Sequence, residues 1–164
     1  MDPVIRSREI DAVIFDWGNT LMVDFGLEGP MCDWPRVEAV EGAREVLEAL
    51  SKRYPLFVAT NGGSSGAREV MAALDRVGLG GFFKAVYAQK DLGFGKPDNR
   101  FFAAICRREG LAPSRCLMVG DHIEKDVRGA LAFGMQAVLF DPRESHPGFE
   151  GKRIVSLREL AALV

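Results

Sequence analysis

The chain has 164 residues, 48% of them apolar and 27% charged, which excludes a disordered, collagen-like or coiled-coil protein and fits a folded domain. Twenty-one basic against twenty-three acidic side chains leave a formal charge of −2, with no basic excess or stripe for a nucleic-acid backbone. The longest apolar runs, such as 12–15 and 116–119, are far too short to span a bilayer, and MDPVIRSREID at the start places acids and a proline where a signal peptide would be apolar.

The elements alternate along the chain. Ala12-Val13-Ile14-Phe15 is an unalternating apolar run, as in a strand buried on both faces. Ala43, Val46, Leu47 and Leu50 then repeat at helical spacing, and Leu56-Phe57-Val58-Ala59 forms a second strand. Ala67, Val70, Met71, Leu74 and Val77 mark the next helix, which Gly78 ends. Ala85-Val86-Tyr87 is a weaker strand, Phe101, Phe102 and Ile105 give a helix, and Cys116-Leu117-Met118-Val119 is a strong strand. A helix over 124–133, a strand over 136–140 and a last helix opened by the Ser156/Glu159 capping box complete the series. Met22 to Arg36 and Pro142 to Arg153 read as irregular. The alternation predicts one three-layer α/β domain over 1–164, a doubly wound parallel sheet covered on both faces. Roughly 70% of the unfolded chain's surface is buried at this size, so no staple is needed. Cys32, Cys106 and Cys116 lack metal-ligand spacing and fit incidental thiols of a reducing cytoplasm, so a cytoplasmic protein without nucleic-acid or membrane partners is expected.

Ligands of such sheets bind beyond the carboxyl ends of the strands. Asp16 follows the first strand, Thr60-Asn61-Gly62-Gly63 the second, and Gly120-Asp121 the fourth, with Asp126 five residues on. Lys96 stands in Gly93-Phe94-Gly95-Lys96-Pro97-Asp98, before the helix that carries Phe101. Clustered acids on a polar rim suit Mg²⁺, which takes oxygen ligands. A carboxylate beside that cation can attack phosphorus, while Thr60, Lys96 and glycine-rich backbone amides hold the phosphoryl oxygens. His122 stands on the same rim, and Trp17 and Trp34 flank it as packing or as walls of the mouth.

These four motifs, in this order, resemble the haloacid dehalogenase-like (HAD) hydrolases: Asp16 with Thr20-Leu21, Thr60, Lys96-Pro97, and Gly120-Asp121 with Asp126. The flanks Lys96-Pro97-Asp98 and Asp126-Val127-Arg128-Gly129-Ala130 are similar as well, and the likeness runs from about Ile10 to Asp141. The resemblance implies a five-stranded sheet of order 5-4-1-2-3 and a Mg²⁺-dependent phosphomonoester hydrolase working through an aspartyl-phosphate. Asp16 would be nucleophile and metal ligand, with Thr60 and Lys96 in the catalytic set. Asn61, Gly62 and Lys96 would meet the substrate, and Asp121, Asp126 and the Gly18 carbonyl would complete the metal site.

Two departures qualify that reading. Family phosphatases carry a second Asp two residues after the nucleophile as general acid/base, and here Gly18 stands there. That function is typically worth about 10²–10⁴ in rate. The alternative is therefore a weakened member that serves as a phospho-ligand or protein-binding module. Secondly, neither 20–41 nor 60–96 has room for a cap domain. An open site suits phosphorylated substrates small or large, or a lid completed by a second copy in a homo-oligomer.

Overall fold

Unbroken apolar strands need cover on both faces, and the sheet has it. The computed structural model describes residues 10–164. Six parallel strands, β1 (Ala12–Phe15), β2 (Leu56–Thr60), β3 (Ala85–Ala88), β4 (Cys116–Gly120), β5 (Gln136–Phe140) and β6 (Arg153–Ile154), lie in the order β3-β2-β1-β4-β5-β6. The helices are α1 (Ala43–Ser51), α2 (Ala67–Arg76), α3 (Gln89–Leu92), α4 (Asn99–Glu109) and α5 (Gly129–Phe133).

Successive strand residues point to opposite faces, which sorts the core into two layers. On one side Val13, Phe15, Val58, Leu117 and Val119 pack with Val46, Leu47 and Leu50 of α1 and Val70 and Leu74 of α2. On the other, Ala12, Ile14, Phe57, Ala59 and Met118 meet Phe101, Phe102 and Ile105 of α4 and Ala130 of α5. The helical spacing of Ala43, Val46, Leu47 and Leu50 in α1 is thus its buried stripe. Asp98 caps α4 by accepting the Arg100 N–H, and Gly110 closes it in the left-handed conformation.

The sheet order contains the expected 5-4-1-2-3 and adds a sixth strand. β6 begins at the last residue of a segment read as irregular, and two residues are too few to show any periodicity. It is fixed by partners remote in sequence: Leu139 N–H donates to Lys152 O, and Asp141 N–H to Ile154 O. The helix expected over 124–133 is also composite, a π-helical turn at Ile123–Arg128 running into α5. The final capping box holds, with Ser156 accepting the Arg158 N–H, but it opens a 3-10 segment, Leu157–Ala162.

Register decides where the chemistry sits. Phe15 lies beside both Val58 and Val119, so β1, β2 and β4 end on one edge of the sheet. Between β1 and α1 the chain forms a loop with one three-residue turn, Met31–Asp33, and no cap domain. Its base is pinned by Val23 N–H to Glu38 O and Val40 N–H to Leu21 O. Among the described residues no helix is long and apolar enough to cross a membrane.

Candidate active site

A cavity of about 590 Å³ opens over that edge, and its floor is a charge cluster. Asp16 leaves the end of β1, Asp121 the end of β4, and Asp126 the π-helical turn; one carboxylate oxygen of each lies within 4.8 Å of the others. Asp126 reaches inward because position 120 is glycine: a Cβ there would stand 2.2 Å from Asp126 Oδ2. Lys96 Nζ is buried among them and donates to Asp16 Oδ1 (3.0 Å), Asp126 Oδ1 (2.5 Å) and Ala59 O (2.7 Å). All three of its N–H bonds are therefore engaged. Lys96 neutralises Asp16 and fixes it, and in this arrangement no donor is left over for a substrate.

Thr20 is fully buried, and its hydroxyl lies 3.2 Å from Asp16 Oδ2 and 3.3 Å from Asp121 Oδ1. In the sequence it was only the tail of a motif; in space it ties Asp16 to Asp121. Asp126 Oδ2 accepts the His122 N–H at 3.0 Å, so both its oxygens are occupied.

Three acids against one ammonium leave the cluster short of positive charge. Burial, then the hydrogen bond and charge of Asp16, push the Asp121 carboxyl up to about 8. Burial and Asp16 likewise push Asp126 up to about 6, against the pull of Lys96. Burial alone would raise Asp16 too, but Lys96, together with hydrogen bonds to Asp121 and the Trp17 backbone, holds the carboxyl below its ordinary value. Burial would lower Lys96, and Asp16 with Asp126 reverse that. A crowded, oxygen-only donor set whose acids resist ionising together is what a hard divalent cation relieves, so these residues fit Mg²⁺.

The turn after β2 forms the next wall. Gly62 and Gly63 take φ +67° and +55°, and a Cβ at 62 would meet Ser65 O at 2.7 Å. Asn61 faces away from the cavity floor, its amide donating to Lys96 O (3.0 Å) and accepting the Lys96 N–H (2.8 Å). It positions the lysine. Thr60 is 4% exposed and lines the cavity, and among the described residues its hydroxyl has no protein partner.

The loop after β1 roofs the space. Asn19 adopts φ 59° and accepts the Asp24 N–H through Oδ1, turning the chain back over the cavity. Trp34 packs into the roof, its indole N–H shared by Glu28 O and Gly29 O, both at 3.1 Å. Arg76 of α2 staples the roof from outside through Cys32 O (3.1 Å) and Trp34 O (2.6 Å). Trp17 is a packing residue, 5% exposed, with its indole on Met22 Sδ. Gly18 lines the cavity and its missing Cβ leaves open space.

The cluster brings Asp16, Gly18, Thr60, Lys96, Asp121 and Asp126 around one cavity, with Asn61 and Gly62 in its wall. The haloacid dehalogenase-like hydrolase family matches residues 27–134, well over half of the chain. The chain belongs to that family. This HAD-like chain is 36% identical over 124 residues to the phosphoserine phosphatase of Thermus thermophilus, covering 63% of this chain and 49% of that protein. It is 37% identical over 94 residues to the glyceraldehyde 3-phosphate phosphatase of Methanothermobacter thermautotrophicus, covering 57% and 40%. The matched part thus spans less than half the length of either relative. The HAD-hydrolase YfnB of Bacillus subtilis, solved bound to magnesium, shares the fold with a TM-score of 0.76 at 17% identity, over 93% of this chain and 97% of that one.

Sequence reasoning named the acids, the lysine and Thr60 but missed contributors that include Asp24, Ser65, Lys125 and Arg76. The first three line the cavity, and Arg76 holds its roof. Ser65 had a signal in the glycine-rich turn. Arg76 had none, since its partners are carbonyls 42 and 44 residues away.

Proposed function

We propose that the protein is a Mg²⁺-dependent phosphomonoester hydrolase that transfers the phosphoryl group to Asp16. The supporting observation is the Asp16–Lys96–Asp126–Asp121 cluster at the floor of a cavity whose wall presents the unpartnered Thr60 hydroxyl. Asp16, Asp121 and the Gly18 carbonyl would hold the cation. Asp126, with both oxygens engaged, acts at one remove by fixing Lys96 and the His122 backbone. Bound Mg²⁺ supplies neutralisation of the phosphate dianion and of the charge that develops on its oxygens.

The protein's own groups carry the steps. Lys96 and Thr20 hold Asp16 as an oriented carboxylate. An Asp16 oxygen forms a bond to phosphorus as the ester P–O bond breaks, and the departing oxygen takes its electron pair and, from solvent water, a proton. Thr60 and the backbone of Gly62 and Gly63 donate to the phosphoryl oxygens where charge accumulates. Water then attacks the same phosphorus, the P–O bond to Asp16 breaks, and the carboxylate and inorganic phosphate are released. The two named relatives above are phosphatases of small phosphate esters, in keeping with this chemistry.

Gly18 favours a second reading, a phospho-ligand or protein-binding module, because no carboxylate stands at that position to protonate a leaving group. One experiment separates the two. Turnover of p-nitrophenyl phosphate in Mg²⁺ that vanishes with EDTA and in Asp16→Asn supports the hydrolase. Turnover unchanged by either treatment sinks the mechanism, and phosphate binding without any turnover supports the module.

A further inference from the structure

Beyond the phosphate cradle, the cavity is bounded by the roof loop, the turn after β2 and the segment 122–125. Four roof carbonyls are engaged within the protein: Glu28 O and Gly29 O on the Trp34 indole, Cys32 O and Trp34 O on Arg76. Asp24 Oδ1 accepts the Gly26 N–H at 2.8 Å.

The donors are unspent. Ser65 is 2% exposed and lines the cavity, yet among the described residues its hydroxyl has no protein partner. Among the described residues no fully enclosed side-chain polar atom lacks a partner, so that hydroxyl is accessible from the cavity its residue lines. His122 Nδ1 accepts the Lys125 N–H at 3.1 Å, which in the neutral ring leaves the proton on Nε2. Lys125 also lines the cavity and has no ion pair among the described residues. The adjacent Glu124 is bound to Arg128 instead. Lys96, the other ammonium in this cavity, is fully consumed by the floor.

A wall that offers the Ser65 hydroxyl and the Lys125 ammonium, the latter without an ion pair among the described residues, fits a leaving group that carries anionic oxygen. We infer that the substrate is a small phosphomonoester carrying a second anionic oxygen group, a carboxylate or a second phosphate, and that Lys125 is the residue that reads it. This rests on the hydrolase reading of the same cavity and adds the substrate class to it. Among the described residues Asp24, on the loop after β1, is the one acid lining the cavity outside the floor, and it opposes added negative charge there.

The test compares 2-phosphoglycolate with ethyl phosphate, near-isosteres that differ in the second anion. Wild type in Mg²⁺ should favour phosphoglycolate in kcat/KM. Lys125→Gln should lower the phosphoglycolate-to-ethyl phosphate ratio about tenfold, the order expected for one charge-assisted contact. Lys125→Arg should keep the preference, and Asp24→Asn should strengthen it. A ratio unmoved by Lys125→Gln, with both esters affected alike or neither affected, overturns the assignment. Should wild type hydrolyse neither ester, p-nitrophenyl phosphate, whose leaving group needs no proton, decides the hydrolase reading separately. The same comparison is then made by calorimetric titration of both esters into Asp16→Asn with Mg²⁺, where equal affinities overturn the assignment and a Lys125-dependent preference upholds it.

Discussion

Gly18→Asp is the perturbation that bears most directly on how this site works. The position accepts the change: an added Cβ meets nothing within 4 Å, and the glycine is not in the left-handed conformation that resists side chains. Gly18 lines the cavity beside Asp16, so a carboxyl there reaches the space where the leaving oxygen departs. General acid assistance contributes about 10²–10⁴ in rate, and a side chain grafted without evolved support should lie near the lower end, roughly 10². The gain should be confined to substrates whose leaving group needs a proton. Ethyl phosphate should therefore speed up on the order of a hundredfold in kcat/KM, while p-nitrophenyl phosphate, whose phenolate departs unaided, should change little. The assay is steady-state kinetics on both esters at saturating Mg²⁺, with thermal melting and a Mg²⁺ titration showing that fold and metal site survive. A variant that folds, binds Mg²⁺ and accelerates both esters equally or neither refutes the idea that a missing proton donor limits this protein.

Other perturbations probe the supports of the site. Lys96→Met should abolish turnover and, in a urea titration, cost about 3–5 kcal/mol by leaving Asp16 and Asp126 buried without their cation; an unfolding midpoint equal to wild type would contradict the charge cluster. Asp121→Asn should melt higher than wild type in EDTA, since it relieves crowding among three acids, and should lose the stabilisation that Mg²⁺ gives wild type. The same melting response to Mg²⁺ in both proteins would place the cation elsewhere. Arg76→Ala should raise KM more than it lowers kcat, because it frees the Trp34 roof and leaves the floor intact; a pure kcat defect would be inconsistent. Burial would raise Asp141, but the His146 and Ser145 N–H groups and Arg153 hold its carboxyl below the ordinary value. A lowered folded value means stability that is present above the unfolded pKa of about 3.9 and lost as pH falls below it. Asp141→Asn should therefore be less stable than wild type at pH 7 by urea midpoint, with the gap closing below about pH 4.

Legibility followed the length of each signal. β1, β2 and β4 were plain because a strand buried on both faces is an uninterrupted apolar run, and helices α1, α2 and α4 because their stripes repeat over nine or more residues. Asp16, Thr60 and Asp121 were legible by position, each standing at or just after the end of such a run. What escaped was set by tertiary partners. β6 exists through Lys152 O and Ile154 O meeting β5, and neither residue carries a strand signal alone. Lys96 and Asn61 were legible as residues of the site, but their division of labour was not. Only the distances show the lysine saturated and the asparagine turned to the lysine's backbone. Donors and acceptors that satisfy each other inside the protein are withdrawn from substrate, and sequence cannot show which are withdrawn.

That accounting also explains why this site costs stability and survives. Removing three carboxylates and an ammonium from water is unfavourable, and their mutual attraction does not balance, because two acids are left over. The surplus is held in place by elements that have no stake in the chemistry: β1, β2 and β4 end together because Val13, Phe15, Val58, Leu117 and Val119 must pack on one face. The core therefore enforces the proximity that the charges resist. A cation fits there because relieving that surplus is worth more in a rigid cluster than on a surface where the acids could separate. Gly120 is as necessary as the core, since any side chain at that position would drive Asp126 out of the cluster and off Lys96.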